Sequence, residues 1–188
     1  MKLLVLDNYD SFTYNLVHLI EKVSPIAFDV IRNDKITLND INQYDKILLS
    51  PGPGLPKDAG KMPQLLKRYA EHKDILGICL GLQAIGENYG ATLKNLTSVC
   101  HGQSTSINII QNDYLFNNCP SSFSVGRYHS WVVNPTLLPQ HLQITATDEA
   151  GNIMALKHLQ HKVRGVQFHP ESILSQFGET IINNWLNN

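Results

Sequence analysis

Apolar residues in the first half of the chain fall into short continuous runs that alternate with stretches of helical spacing. Four runs predict buried strands, at residues 2–6, 28–32, 45–50 and 75–78. Apolar positions three and four residues apart predict helices at residues 11–23, 62–72 and 82–88. Near-continuous apolar strands that alternate with helices form parallel sheets covered on both faces. The pattern therefore predicts an α/β fold with an open, mostly parallel sheet.

The pattern changes after Gly90. Short segments containing Val, Ile, Thr and Phe are separated by turn residues, which predicts further strands, some of them antiparallel. These segments lie at residues 91–96, 104–110, 122–128, 142–147, 152–157 and 162–168. A last amphipathic segment at 176–186 predicts a closing helix. No internal repeat, low-complexity tract or linker interrupts the sequence, so we expect residues 1–188 to form a single domain.

Composition is that of a globular protein. Hydrophobic residues make up 43% of the 188 residues and charged residues 16%, which excludes a disordered chain. The formal net charge of -1 gives no reason to expect a nucleic acid or an anionic membrane as partner. No apolar run has the length of a membrane span or of a signal-peptide core. Three cysteines without a C-x-x-C pair indicate reduced thiols, and we expect a cytoplasmic protein.

Candidate chemistry is concentrated at Cys79. This residue follows the predicted strand at 75–78, precedes a helical pattern and stands between Gly77 and Gly81. The pattern G-x-C-x-G between strand and helix is typical of a nucleophile elbow. A helix N-terminus behind the sulfur favours the thiolate. The alternative is a small buried residue at a strand end, because free cysteines are among the most buried residue types.

A second loop is expected at the same edge of the sheet. The segment Ser-Pro-Gly-Pro-Gly-Leu-Pro at 50–56 follows the third predicted strand, and alternating proline and glycine make it rigid. Ligand sites of parallel sheets lie at the carboxyl ends of strands, which here carry residues 7–8, 50–54 and Cys79. The loop is either a surface turn or a source of backbone N–H groups for an oxyanion hole.

A catalytic thiol needs a base, and His169 is the strongest candidate. It follows the apolar segment 165–168, Pro170 fixes the next turn, and the carboxylate of Glu171 can accept a hydrogen bond from the imidazole. His129 lies in a second polar cluster after a predicted strand. The adjacent Cys100 and His101 are poorly arranged to bind one metal ion, so no metal site is expected.

Three motifs together resemble the triad (class I) glutamine amidotransferases. They are Gly-Ile-Cys-Leu-Gly-Leu-Gln at 77–83, Ser-Pro-Gly-Pro-Gly at 50–54 and Gly-Val-Gln-Phe-His-Pro-Glu-Ser at 165–172. The resemblance runs from the first strand to the last helix and implies a flavodoxin-like arrangement of the sheet. The opening at 7–16, Asp-Asn-Tyr-Asp-Ser-Phe-Thr-Tyr-Asn-Leu, is similar to glutaminase subunits of anthranilate synthase and 4-amino-4-deoxychorismate synthase. The same holds for Arg-Tyr-His-Ser at 127–130.

The resemblance implies a mechanism for named residues. Cys79 would attack the side-chain carboxamide of glutamine and form a thioester. His169 would accept the thiol proton and deliver it to ammonia, while Glu171 orients His169. The backbone N–H groups of Gly52 and Leu80 would hold the oxyanion.

The same resemblance implies a binding site for the amino-acid end of glutamine. Its expected residues are Gly52, Pro53, Gly54, Gln83, Ser130 and Trp131. Trp131 stands where relatives commonly have leucine. A tryptophan is tolerated if only its backbone binds the substrate, whereas a side-chain contact would alter the pocket.

The resemblance further implies that the ammonia is used by a chorismate-using synthase subunit, giving anthranilate for tryptophan biosynthesis. The alternative product is aminodeoxychorismate for folate biosynthesis, and one subunit can serve both. No cofactor is expected on this chain, while the partner subunit is expected to need Mg. We also expect the aromatic loop at 8–12 to dock that partner. A stand-alone thiol hydrolase and a non-catalytic binding module are the remaining alternatives.

Overall fold

The computed structural model describes residues 1–188, which form nine strands and four α-helices. The strands are β1 (Lys2–Asp7), β2 (Ala27–Arg32), β3 (Lys46–Leu49), β4 (Asp74–Ile78), β5 (Leu93–Ile109), β6 (Ser122–Val133), β7 (Leu142–Asp148), β8 (Ile153–His158) and β9 (Val163–Val166). The helices are α1 (Thr13–Val23), α2 (Met62–Tyr69), α3 (Leu80–Asn88) and α4 (Gly178–Leu186). Short 3-10 turns lie at Leu38–Gln43, Pro56–Asp58, Tyr114–Phe116 and Pro135–Leu137.

All nine strands belong to one mixed sheet, in the order β2-β1-β3-β4-β9-β8-β7-β5-β6. The pairings from β2 to β9 are parallel, and those from β9 to β6 are antiparallel. The sheet curls so strongly that Gly126 of the last strand, β6, forms a β-bridge with His169, which lies just beyond β9. The α/β prediction, with antiparallel strands in the second half, is confirmed. The sheet is curled and evenly mixed, with four parallel and four antiparallel pairings, where an open and mostly parallel sheet was expected.

Two hydrophobic clusters cover the two faces of the sheet. Successive residues of β1 alternate between them, since Leu4 packs with the side chains of α2 and α3, and Leu3 packs with those of α1 and α4. This alternation is the period of two expected of a strand buried on both sides. The prediction of helices on both faces is confirmed. None of these helices has the length and apolar character that crossing a bilayer requires.

The structure corrects two strand boundaries. Segments 91–96 and 104–110 were expected as separate strands, but β5 runs through both as one strand of 17 residues. Its pairing with β6 shifts register between Asn95 and Cys100 and again near Gly102, which has a φ of +63°. These irregularities let the polar middle of β5 continue the ladder as a bulged, largely exposed ribbon. β6 likewise extends to Val133, beyond the expected end at residue 128.

A buried ion pair fixes the closing helix to the amino ends of the central strands. The ammonium of Lys46 lies 2.7 Å from the carboxylate of Asp74 and also donates to the carbonyl of Trp185. The indole N–H of Trp185 donates to the same carboxylate at 2.8 Å. All three side chains are buried, and each charge has a partner, as burial of charge requires. This cluster lies at the sheet edge opposite the carboxyl ends of β3 and β4.

Candidate active site

Cys79 occupies the sharp turn between β4 and α3. Its backbone has φ +52° and ψ −101°, a conformation that costs a non-glycine residue about 1–3 kcal/mol. The flanking glycines permit close packing around this turn. A Cβ on Gly77 would lie 2.4 Å from the carbonyl carbon of Gly81, and one on Gly81 would lie 2.6 Å from the carbonyl oxygen of Leu49. The turn brings the sulfur to the carboxyl edge of the sheet, at the amino end of α3.

His169 and Glu171 form a buried hydrogen-bonded pair beside this turn. Nδ1 of His169 lies 2.7 Å from Oε1 of Glu171, and both side chains are almost fully shielded from solvent. Nε2 of His169 has no hydrogen-bond partner, so it is the free atom of the ring. Burial lowers the pKa of His169, but Cys79 and Glu171 outweigh it and raise that pKa to about 10. The imidazole therefore favours its protonated form beside the sulfur.

Two aromatic rings hold the imidazole of His169 in place. The centroid of Tyr128 lies 4.9 Å from the imidazole centroid and that of Phe12 lies 5.2 Å away, both in edge-to-face geometry. The hydroxyl of Tyr128 is 3.0 Å from the hydroxyl of Ser172. Sequence reasoning placed Phe12 in a partner-docking loop and gave Tyr128 no role. The contact of Tyr128 with His169 depends on the curl of the sheet, which no local pattern reveals.

The loop after β3 lies directly against the elbow. Asn8 holds this loop, since its backbone N–H donates to the hydroxyl of Ser50 at 2.9 Å and its side-chain amide donates to the Ser50 carbonyl at 2.8 Å. A Cβ on Gly52 would lie 2.7 Å from the side chain of Leu80. The backbone N–H of Gly52 has no protein acceptor, and that of Leu80 lies in the first turn of α3, where helical acceptors are lacking. Both groups can therefore bind an oxyanion.

A cavity of about 190 Å³ opens above Cys79 on the α3 side. The six residues expected to bind glutamine all line it: Gly52, Pro53, Gly54, Gln83, Ser130 and Trp131. The side-chain NH2 of Gln83 donates to the carbonyl of Trp131 at 2.8 Å. The cavity has no Asp, Glu, Lys or Arg in its lining, so a zwitterionic ligand would be held by neutral hydrogen-bonding groups.

A second cavity, of about 570 Å³, reaches the same sulfur from the other side. Tyr9, Phe12 and Tyr128 line it together with Cys79 and His169. Cys79 thus lies where two cavities meet, and His169 lines the second of them. A larger cavity, of about 680 Å³, contains none of the expected site residues and lies around the ion pair of Arg164 and Asp113.

His129 is a neutral residue in the wall of the smaller cavity. Burial, together with the neighbouring Arg127 guanidinium, lowers the pKa of His129 to about 3. Its Nε2 accepts a hydrogen bond from Nε of Arg127 at 3.1 Å, and its Nδ1 donates to the carbonyl of Trp131 at 3.0 Å. His129 therefore positions the Ser130–Trp131 segment and is not a second base. Sequence reasoning left its role open.

Comparison with known proteins agrees with this geometry. Residues 4–188 match the family model described as glutamine amidotransferase class-I. Anthranilate synthase component 2 of Lactococcus lactis is 43% identical over 98% of this chain and 93% of its own length. The bifunctional protein TrpGD of Thermotoga maritima is 40% identical over 99% of this chain but only 32% of its own length.

Among solved structures, a glutamine amidotransferase from Thermotoga maritima superimposes with a TM-score of 0.78 at 18% identity, covering 91% of this chain and 76% of that one. At that identity the likeness concerns the fold alone. The family-model match over residues 4–188 shows the family as well as the fold. It is consistent with the structure, in which the Cys79 thiol, the His169–Glu171 pair and the cavity lie at one edge of the sheet. The chain belongs to the class-I glutamine amidotransferase family and is an enzyme of that type.

Proposed function

We propose that this chain is the glutaminase component of anthranilate synthase, which releases ammonia from L-glutamine for a chorismate-using partner. The observation that carries the proposal is that Cys79 lines the cavity of the expected glutamine-binding residues, while His169, held by Glu171, lines the adjoining cavity that reaches the same sulfur. The name of the Lactococcus relative supports anthranilate as the product. Aminodeoxychorismate is not favoured, because the full-length relatives carry anthranilate synthase names.

In the first half of the reaction, the sulfur of Cys79 bonds to the carboxamide carbon of glutamine. The carbonyl electrons move to oxygen, where the N–H groups of Gly52 and Leu80 hold the charge, each donor contributing about 3 kcal/mol. As the intermediate collapses, the carbon–nitrogen bond breaks and Nε2 of His169 gives its proton to the leaving nitrogen. Ammonia departs, and a glutamyl thioester remains on Cys79.

In the second half, water attacks the thioester. His169 removes the proton of the water, and Glu171 stabilises the imidazolium that forms. The carbon–sulfur bond breaks, glutamate leaves and Cys79 returns as the thiolate. Both halves need the imidazole to be held by its Nδ1 atom, which the 2.7 Å contact with Glu171 provides.

The binding cavity supports recognition of the amino-acid end of glutamine. The NH2 group of Gln83 already donates to Trp131, so its Oε1 atom is left to accept from the α-ammonium of the substrate. Backbone groups of Gly54, Ser130 and Trp131 complete the contacts in this proposal. The side chain of Trp131 is not required, because the carbonyl of that residue makes both of its hydrogen bonds here.

The partner would cover the second cavity, from which ammonia leaves. Tyr9 presents an exposed ring at its rim, held by a hydrogen bond from its hydroxyl to Asp34 at 2.8 Å and by Arg32 over the ring. Such an ordered aromatic side chain suits a protein interface. The partner is proposed to be a synthase component I that carries the Mg, while this chain needs no cofactor. Three free cysteines support a cytoplasmic location.

The proposal is tested by reconstitution with a component I subunit and chorismate. Wild-type chain is expected to form anthranilate from either glutamine or ammonium, whereas Cys79→Ser is expected to form it from ammonium alone. Tyr9→Ala is expected to weaken partner binding and leave the glutaminase site intact. Phe12 is unsuitable for that test, because its ring contacts His169. Glutamine-dependent anthranilate formation by Cys79→Ser would refute the proposal, and glutamine hydrolysis without any product from chorismate would refute the assigned partner.

A further inference from the structure

The side chain of Gln167 is fully buried beside the sulfur of Cys79 and has no role in the mechanism above. Its Nε2 atom lies 3.5 Å from Sγ of Cys79, and its Oε1 atom lies 3.4 Å from Nε2 of Gln83. We propose that Gln167 is a catalytic residue that donates a hydrogen bond to the Cys79 thiolate, and that a buried relay ending at Asp148 holds its amide in that orientation.

The orientation of the amide follows from donor and acceptor chemistry. A main-chain carbonyl can only accept, so the group of Gln83 that lies 2.8 Å from the Trp131 carbonyl is its NH2. The same NH2 faces Gln167, whose contacting atom must then be the oxygen. The NH2 of Gln167 therefore points at the sulfur. An amide NH2 donates and does not accept, so this contact favours the anionic form of sulfur.

The relay continues behind Trp131. A guanidinium nitrogen is always a donor, so Nε2 of His129 accepts from Arg127 and the ring proton lies on Nδ1, which donates to the Trp131 carbonyl. A buried ion pair fixes Arg127, whose Nη1 lies 2.8 Å from Oδ2 of Asp148. Every bond in this series has a defined donor. Rotating the amide of Gln167 by half a turn would set its oxygen against the sulfur and its NH2 group against the NH2 group of Gln83.

The NH2 group of Gln167 would stabilise the thiolate at steps in which His169 is not charged. The imidazole gives up its proton when ammonia leaves, so its charge disappears partway through the cycle. Gln167 transfers no proton, and its hydrogen bond remains in every step. When the thioester is hydrolysed, that bond stabilises the departing thiolate inside a buried site, where an unsolvated anion is costly. The step that the bond serves rests on the proposed function, whereas the bond itself concerns this chain alone.

The test is the pH dependence of Cys79 alkylation by iodoacetamide in the free chain, measured on the Cys79 peptide by mass spectrometry. Gln167→Met removes the donor at nearly the same volume. We expect the midpoint of the alkylation profile to rise by about one pH unit. Gln167→Glu keeps the shape and the acceptor for Gln83 but sets a carboxylate against the sulfur. Its midpoint is expected to rise further, while glutamine hydrolysis falls in both variants.

The order of the two variants separates this role from a structural one. If Gln167 only fills space and holds Gln83, the Glu variant would perturb the site less than the Met variant. Midpoints equal to the wild-type value in both variants would overturn the proposal. The imidazoles of His101, His129 and His169 line the surrounding cavities. None of these residues is substituted in either variant.

Thr145→Val, which removes an equally buried polar group from β7 outside the relay, is the matched control and is expected to leave the midpoint unchanged. Thermal unfolding of each variant verifies that it is folded. A wild-type chain that hydrolyses no glutamine would refute the proposed function, yet the alkylation comparison would still decide the role of Gln167.

Discussion

Nδ1 of His169 lies 2.7 Å from Oε1 of Glu171, and this contact is the only hydrogen bond that the buried Glu171 side chain makes. The second carboxylate oxygen, Oε2, is buried without a partner. The negative charge of Glu171 is therefore compensated almost entirely by the imidazole. Because the two groups depend on each other, a change at Glu171 must alter the protonation of His169.

Glu171→Gln is expected to shift the alkaline limb of the pH–kcat/KM profile to lower pH. Glu171 is one of the two groups that raise the pKa of His169 to about 10, so its neutralisation lowers that pKa. The proton needed by the leaving nitrogen is then lost at lower pH, and kcat/KM at neutral pH falls about 10²–10⁴-fold. Glu179→Gln, in an exposed ion pair with Lys22, serves as the control. An unshifted limb would contradict the assigned role.

The His169–Glu171 pair also makes the free energy of unfolding depend on pH, and the direction of that dependence can be predicted. The folded-state pKa of His169 lies above its ordinary value of 6.5. The stabilising contribution is thus complete below pH 6.5 and is lost as the pH rises through about 10. Denaturant unfolding of wild type and Glu171→Gln across this range is expected to show a difference that shrinks toward alkaline pH.

Gly81→Ala is expected to damage the elbow. The added Cβ would lie 2.6 Å from the carbonyl oxygen of Leu49 and 2.8 Å from its Cβ, and backbone atoms of a central strand cannot move aside cheaply. The free energy of unfolding should fall by about 1–3 kcal/mol, with a larger proportional loss of glutaminase activity. Gly151→Asn is the control, because that turn has open space and a φ of +79° that asparagine tolerates. Full activity of Gly81→Ala would contradict the geometry of the turn.

Lys46→Met is expected to lower the free energy of unfolding without changing the glutaminase activity of the folded protein. The substitution leaves Asp74 buried without its cation, which typically costs about 3–5 kcal/mol in the free energy of unfolding. The double variant Lys46→Met, Asp74→Asn should regain part of that loss, since no unpaired charge remains. Glutamine kcat/KM of the folded variants is expected to be unchanged, because the pair lies at the opposite sheet edge. Additive losses in the double variant would argue against a coupled pair.

Trp131→Leu is expected to leave the KM for glutamine within about threefold of wild type, well under the tenfold that corresponds to 1.4 kcal/mol. The carbonyl of residue 131, not its side chain, joins the network of Gln83 and His129. Gln83→Met should raise KM by about tenfold or more, because it removes the acceptor proposed for the α-ammonium. A large rise in KM for Trp131→Leu would show that the indole contacts the substrate.

Local patterns were sufficient to predict the parts of the site that lie at strand ends. Asn8, Ser50, Cys79 and His169 each follow closely after a strand of the parallel half, and parallel strands bring their carboxyl ends to one edge. The apolar runs and the glycine and proline turns identify those ends from sequence alone. The roles of the individual residues remain predictions until activity is measured.

The remaining site contacts could not be predicted, because they join residues far apart in the chain. Gln83 and Gln167 are separated by 84 positions, and their amides meet only because α3 packs beside β9. Within the segment 165–168, Gln167 was interpreted as part of an apolar strand. The relay from Asp148 to Trp131 likewise joins residues of β7 and β6, which lie on either side of β5. Pairing of the bulged β5 could not be inferred, since its middle is polar and exposed.

Trapping the glutamyl thioester would show whether Cys79 is the nucleophile. The wild-type chain would be mixed with glutamine, quenched with acid during turnover, digested and analysed by mass spectrometry. We predict a glutamyl group, equal in mass to glutamine minus ammonia, on the Cys79 peptide. It should form more slowly in Glu171→Gln and be absent from Cys79→Ser. Glutamine turnover without an adduct on Cys79 in either the wild type or Glu171→Gln, or with an adduct on Cys100 instead, would contradict the account.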